Sequence, residues 1–236
     1  MKPRREPTIT PTEPGHHRPG APPPPPTREA LRQARRLQGG RPAKADLWIV
    51  DSAHGPLVVK DFAAKPWWSR IAGRLQIARE CRAYRWLGPQ PFLPRLAGRV
   101  DAHALAIEWI EAVELARSPL REERGAELLE RLREVVRRLH RAGLAHLDLR
   151  GRENVLVDRT GRIFVVDLAS AIWLRPGGLA HRLLFAALAL ADDAALLKWK
   201  RLLEVGPYTD EEHRFLERFR RWRMLWPFNR KGAARR

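Results

Sequence analysis

His146-Leu147-Asp148-Leu149-Arg150-Gly151-Arg152-Glu153-Asn154-Val155-Leu156-Val157 is the stretch on which the reading of this chain turns. An aspartate and an asparagine flank a glycine, and the asparagine opens an aliphatic, β-branched run that reads as a strand. Upstream, Leu128, Leu129, Leu132, Val135, Val136 and Leu139 recur at helical spacing among charges and predict an amphipathic helix over 121–142, stopped by Gly143. Downstream, Asp158-Arg159-Thr160-Gly161 reads as a turn and Ile163-Phe164-Val165-Val166 as a second strand, followed by Asp167-Leu168-Ala169. A small hairpin of this kind brings Asp148, Asn154 and Asp167 together at its ends.

Further toward the N-terminus, Leu47–Val50 and Leu57–Phe62 predict a hairpin around the turn 51–56. A helix is predicted over 69–87, broken by Gly88, Pro89, Pro91 and Pro94, and two more strands over Leu96–Val100 and Ala104–Ile110. A short basic helix is predicted from Arg28 to about Leu37, ended by Gly39-Gly40. Residues 1–28, with the run Pro22–Pro26, read as a disordered, proline-rich basic tail with little to bury. The C-terminal part is predicted helical over 179–190, 192–204 and 210–225. The sequence is strand-rich with one inserted helix, then helix-rich with one hairpin, which is an α+β order and not an alternating βαβ one.

The 236 residues suffice for two small lobes around a buried core. One cysteine, Cys81, excludes an intramolecular disulfide and a cysteine-rich metal site, so no disulfide partner is expected. No apolar leader follows the N-terminal Met, and the longest apolar run, Leu183–Ala191, is far short of a membrane span. The expected location is cytoplasmic, with peripheral attachment to the inner membrane face as a further option. Net charge is +18, of which residues 1–45 hold +7 and residues 214–236 hold +8, leaving the middle nearly balanced. Basic ends suit an anionic membrane surface, nucleic acid or an acidic partner, or are solvated composition.

The quoted stretch together with Asp167-Leu168-Ala169 resembles the catalytic loop and metal motif of the protein-kinase-like superfamily, over roughly residues 38–175. The compact bacterial branch, with RIO-like kinases and the Kdo and heptose kinases of the lipopolysaccharide core, is the most similar. The resemblance implies a two-lobed α+β fold with a small β-rich N-lobe over 29–110 and a short helical C-lobe over 111–227, then a basic tail over 228–236. It implies ATP and Mg2+ as cofactors. Asp148 would orient or deprotonate the acceptor hydroxyl, and Asn154 and Asp167 would hold the metal through oxygen. Lys60 would contact the ATP phosphates with Glu80 as its ion-pair partner, and Arg150 would lie near the phosphates. Gly39 and Gly40 would cover the phosphates with backbone amides, and backbone groups of Glu108 and Ile110 would meet the adenine edge.

Asp148 and Asn154 are six apart where the usual motif has five. Either Glu153 takes the metal position or the loop carries one extra residue absorbed at Gly151. The second is preferred, because Asn154 opens the strand as the family's asparagine does. Leu168-Ala169 replaces Phe-Gly, no Ala-Pro-Glu follows, and only 69 residues remain after Asp167. Each residue alone has an ordinary reading: a strand lysine at an edge, a helical Glu in an i,i+4 pair, an aspartate capping a turn. Together and in order they favour a kinase.

Four functions follow from the sequence. The first is phosphorylation of a sugar or glycolipid hydroxyl in the lipopolysaccharide core or a similar envelope glycolipid. The others are a RIO-like protein serine/threonine kinase, a non-catalytic nucleotide-binding pseudokinase, and an aminoglycoside- or choline-type phosphotransferase. Tryptophans interleaved with basic residues at Trp67-Trp68 and at Trp222 and Trp226 suit a membrane interface, suit RNA less, or pack the lobes.

Overall fold

The computed structural model describes residues 23–224, and side chains up to 221. Strands β1 (Arg35–Gln38), β2 (Asp46–Val50), β3 (Leu57–Asp61), β4 (Leu96–Arg99) and β5 (Ala104–Glu108) form one antiparallel sheet in the order β1-β2-β3-β5-β4. Helix α1 (Arg28–Arg32) precedes it, and α2 (Trp67–Leu87) is inserted between β3 and β4. Then come β6 (Val113–Glu114), α3 (Leu120–Arg141), β7 (Leu144–Ala145), β8 (Val155–Val157), β9 (Ile163–Val165) and β10 (Ile172–Trp173). Helices α4 (Leu179–Leu202) and α5 (Asp210–Met224) complete the described chain. The chain is an α+β protein, with a β-rich N-terminal part and a helical remainder.

Strand alternation decides which way the site residues face. Val59, Ala104 and Ala106 are buried on the sheet face toward Leu31 of α1. Val58, Leu105 and Ile107 face the other way, into a core shared with Ile77, Cys81 and Tyr84 of α2 and Leu128, Leu132 and Leu139 of α3. Lys60, two residues from Val58, therefore turns toward α2.

The six apolar positions read from the sequence of α3 are all buried. Each such side chain contributes roughly 1.5–3 kcal/mol of transfer free energy. The many arginine–glutamate pairs on its outer face are solvent-exposed and add little apiece. Gly143 ends the helix at φ 72°, and a Cβ there would sit 2.1 Å from the Leu174 carbonyl oxygen. Only glycine fits this position, where the chain turns into the segment that carries Asp148. The hairpin expected after that segment is present as β8 paired with β9.

Three sequence expectations are corrected. The N-terminal helix ends at Arg32, and Arg35–Gln38 is the edge strand β1, because Arg35, Arg36 and Gln38 pair with β2 and the Arg36 guanidinium lies over the Trp48 ring. The two helices expected over 179–190 and 192–204 are one, since Ala191-Asp192-Asp193 holds no breaker. Of the proline-rich segment, Pro23 is buried and Pro25 packs at Gly98 of β4. Arg28 is tied to Asp61 and Asp101 at 2.5 Å each. Trp222, Trp226 and the C-terminal basic tail lie outside the residues whose side chains are described. No helix among the described residues is long and apolar enough to cross a membrane.

Candidate active site

Three elements converge on Lys60. Its ammonium, on β3, lies 2.8 and 2.9 Å from the two carboxylate oxygens of Glu80 on α2 and 3.1 Å from Asp167 after β9. Glu80 is 1% exposed, so the pair is cut off from water on the helix side. Burial works against the Lys60 charge, but Glu80 and Asp167 outweigh it and hold the lysine protonated beyond its ordinary range. Burial pushes Glu80 up, and nearby Asp167 adds to that. Asp167 is also opposed by burial, yet the Lys60 ammonium keeps it below the usual carboxylate range. One cation thus serves two carboxylates, which leaves a local excess of negative charge. The buried Tyr84 hydroxyl, behind Glu80, has no hydrogen-bond partner among the described residues.

Asp167 has φ 65° and ψ 69°, and its Oδ1 accepts the Ala169 N–H at 3.4 Å. Aspartate tolerates this left-handed conformation better than most residues, which is one reason for its place here. Leu147 has φ 66°, a costlier conformation for a branched apolar side chain. Such strain persists only where the surroundings over-determine it, and here they do. Asp192 of α4, fully buried, accepts the backbone N–H of His146 and that of Leu147 at 2.8 Å each. Its Oδ2 also lies 3.1 Å from His140 Nε2. Trp199, one to two turns further on, donates its indole N–H to the Leu149 carbonyl at 2.8 Å. The side chain of His146 braces the same loop, receiving the Asp148 N–H at Nδ1 and donating from Nε2 to the Val166 carbonyl.

Within the loop, Asn154 turns inward and is 2% exposed. Its Nδ2 donates to the Asp148 carbonyl at 2.8 Å and to Asp148 Oδ2 at 3.3 Å, which leaves the amide oxygen as the atom for other use. The Asn154 carbonyl in turn accepts the Val166 N–H at 3.0 Å, so Asp148, Asn154 and Asp167 are linked through the hairpin. Gly151 allows this closure: a Cβ there would lie 2.8 Å from Asn154 Nδ2. Glu153 faces away and meets Lys44 at 3.3 Å, in the turn between β1 and β2. Arg150 is exposed, and its carbonyl accepts from the Lys198 ammonium of α4.

Gly39 and Gly40 lie in that β1–β2 turn. The Gly40 N–H is engaged by Asp46 Oδ1 at 3.2 Å, and the same oxygen holds Arg36 at 2.7 Å and Lys65 at 2.8 Å. The turn is thus pinned to the sheet by a buried aspartate whose pKa is lowered by Lys65 and Arg36 despite burial. On the segment leaving β5, the Glu108 N–H donates to Arg95 and the Trp109 N–H to Pro56, while the Ile110 carbonyl accepts from Ala112. The Ile110 N–H has no partner among the described residues.

Mg2+ favours hard oxygen donors in small number, completed by phosphate oxygens and water. One carboxylate, Asp167, and one amide oxygen, Asn154, are such a set, beside a local excess of negative charge. No group of three or more His, Cys, Asp or Glu able to hold a metal by itself occurs among the described residues. A metal held by this pair would fill its remaining positions with phosphate oxygens and water.

The sequence reading missed Asp192 and Asp46. Asp192-Asp193 interrupts an otherwise apolar run, Leu183–Ala195, and an acid buried in such a run needs backbone donors or a cation. That signal was present. Asp46 carried none, because Gly40 and Arg36 meet it only across the β1–β2 turn and Lys65 only once the sheet has formed.

No protein-family model and no curated protein matches the chain. Among solved structures it is similar to the Rio2 kinase-ADP/Mg2+-phosphoaspartate complex from Chaetomium thermophilum, at 16% identity and a TM-score of 0.47. The match covers 81% of this chain and 70% of that one. At that depth the likeness is one of general chain course and says nothing of chemistry.

Proposed function

We propose that this protein is an ATP- and Mg2+-dependent phosphotransferase that phosphorylates a hydroxyl group. The observation that carries the reading is the meeting of Lys60, Glu80 and Asp167, from a strand, a helix and a hairpin end, beside the Asp148–Asn154 pair. Phosphoryl transfer asks for little covalent chemistry from the protein and for much positioning and charge compensation. Lys60, oriented by Glu80, would bind phosphate oxygens. Asn154 and Asp167 would hold Mg2+, which when bound offsets the phosphate charge. Asp148 would align the acceptor hydroxyl and take its proton as that oxygen bonds to the γ-phosphorus and the bond from the γ-phosphorus to the bridging oxygen breaks, with ADP leaving. Glu108 and Ile110 would meet the adenine edge, where the unpartnered Ile110 N–H is a suitable donor. Gly39 and Gly40 would lie over the phosphates, although the Gly40 amide already serves Asp46.

The acceptor we favour is a sugar hydroxyl on an envelope glycolipid, of the lipopolysaccharide-core kind. The test is transfer of labelled γ-phosphate from ATP to isolated glycolipid, to protein, or to neither. Asp148→Ala should lower transfer about 10²–10⁴-fold while Mg2+-ATP still binds. Full turnover by that variant removes Asp148 from the mechanism, and labelling of protein alone moves the acceptor to the RIO-like reading.

One observation favours attachment to an anionic membrane surface at the inner face. Trp67, Trp68, Ile71 and Leu75 are 73%, 47%, 56% and 65% exposed on α2, next to exposed Arg70 and Arg74. Apolar and aromatic side chains flanked by cations are the composition of an interfacial helix.

A further inference from the structure

The helical part holds a cavity system of whose lining residues only Arg150 has been given a role above. Two adjoining hollows, of about 400 Å3 and about 210 Å3, lie between α4, α5 and the end of the loop that carries Asp148. They share Arg201, Tyr208, Leu216 and Arg220 as walls, and nothing from the sheet lobe lines either of them.

The charge of this space is one-sided. Arg150 and Lys198 line the inner hollow, and Arg201 and Arg220 line both. The one carboxylate among the lining residues is Glu217, in the outer hollow alone. Arg201 and Arg220 make no ion pair among the described residues. Lys198 is fixed at the catalytic loop, since its ammonium donates to the Arg150 carbonyl. The carboxylates of Glu153 and Asp148 on that loop act in favour of its charge. Burial, with Arg150 and Arg152 next to it, lowers the pKa of Lys198. Exposed cations gathered around a concave space raise the local concentration of anions.

We infer that this basic hollow seats an anionic group of the acceptor, a phosphomonoester or a carboxylate, and so delivers the acceptor hydroxyl to Asp148. Arginines suit such oxygens because their planar N–H pairs match them in bidentate fashion. The inference deepens the phosphotransfer reading and rests on it for the word acceptor. The anion seat itself rests on the cavity alone.

The experiment is titration of the full chain with inorganic phosphate, glucose 6-phosphate and vesicles carrying phosphatidic acid, against chloride at matched ionic strength. Calorimetry gives the affinities. Saturable binding above the chloride control is expected, weakened about tenfold or more in the Arg201→Gln/Arg220→Gln double variant. Both arginines are exposed, so the double variant should keep the fold, and Lys198→Gln provides an independent second variant. Mg2+-ATP affinity should be the same in all of them. Preference for the vesicles identifies a lipid-borne phosphate and preference for glucose 6-phosphate a soluble ester; either supports the seat. Binding no stronger than the chloride control, or equal in the double variant and in Lys198→Gln, overturns it. If Mg2+-ATP fails to bind while phosphate binding still depends on Arg201 and Arg220, the phosphotransfer reading falls and the anion seat stands.

Discussion

Lys60 Nζ lies 2.8 Å from Glu80 Oε1, and the carboxylate is shielded from water. The pair is costly to break from one side, because the survivor is left as a buried charge. Lys60→Met should therefore lower stability by about 3 kcal/mol at pH 8. The loss should shrink at low pH. Glu80 is already raised above its ordinary 4.5 by burial, and losing the ammonium raises it further. Between the unfolded value and that raised folded value, the native state binds more protons than the unfolded chain. Stability then falls as pH rises through this window and is regained as pH falls below it. Urea denaturation of wild type and variant at pH 5 and pH 8 checks this; a gap independent of pH would contradict it.

Asn154 and Glu153 are neighbours with opposite orientations, one turned to Asp148 and the other to Lys44. Asn154→Ala should raise the Mg2+ concentration needed for half-maximal nucleotide binding by tenfold or so, since one of two protein oxygen donors is lost. Glu153→Ala should leave it almost unchanged, as an exposed pair is worth little. A reversed order would make Glu153 the metal ligand. Titration of Mg2+ at fixed ATP, followed by calorimetry, separates the outcomes.

Asp192 is predicted to act on rate and not on nucleotide affinity. Asp192→Asn keeps the volume but offers one acceptor atom where His146 and Leu147 present two N–H groups. One buried amide loses its partner, at about 1–3 kcal/mol. The strained Leu147 backbone should then relax and displace Asp148. We expect kcat to fall at least about tenfold with KM for ATP little changed. A matched rise in KM would indicate general loosening instead of loss of loop position.

The sequence was most informative where a local pattern sufficed. Six apolar positions announced α3, and the two short β-branched runs announced β8 and β9. Lys60 and Glu80, twenty residues apart, are brought together by alternation on β3 and by the burial pattern of α2, both of which are local. Asp192 needed more, because its role is set by backbone donors nearly fifty residues upstream. Asp46 needed most, since Arg36, Lys65 and Gly40 reach it only once the sheet has formed. The strand at Arg35–Gln38 was misread because its four residues are all exposed, so no alternation marks them, and its pairing with β2 is a tertiary fact. Long-range polar contacts leave no periodicity, and that is why these features were absent from the sequence reading.

The exposed face of α2 allows a membrane test that leaves the fold intact. Trp67, Ile71 and Leu75 recur every four residues and so share one side of the helix. Their combined insertion would bury apolar area at about 25 cal/mol per Å2, a contribution that salt does not screen. Arg70 and Arg74 would add on the order of 1 kcal/mol each near an anionic surface, screened over about 8 Å at physiological ionic strength. The full chain should therefore sediment with vesicles containing anionic lipid and not with neutral ones. Arg70→Gln/Arg74→Gln should remove part of the salt-sensitive binding, and Trp67→Ser/Ile71→Ser the salt-resistant part. Because these side chains are exposed, both variants should keep wild-type stability within about 0.5 kcal/mol. A lower Trp67→Ser/Ile71→Ser affinity at unchanged melting temperature then reports contact and not unfolding. Equal sedimentation of all three proteins would assign any attachment to the basic ends, and preference for RNA at matched salt would favour the RIO-like acceptor over the glycolipid.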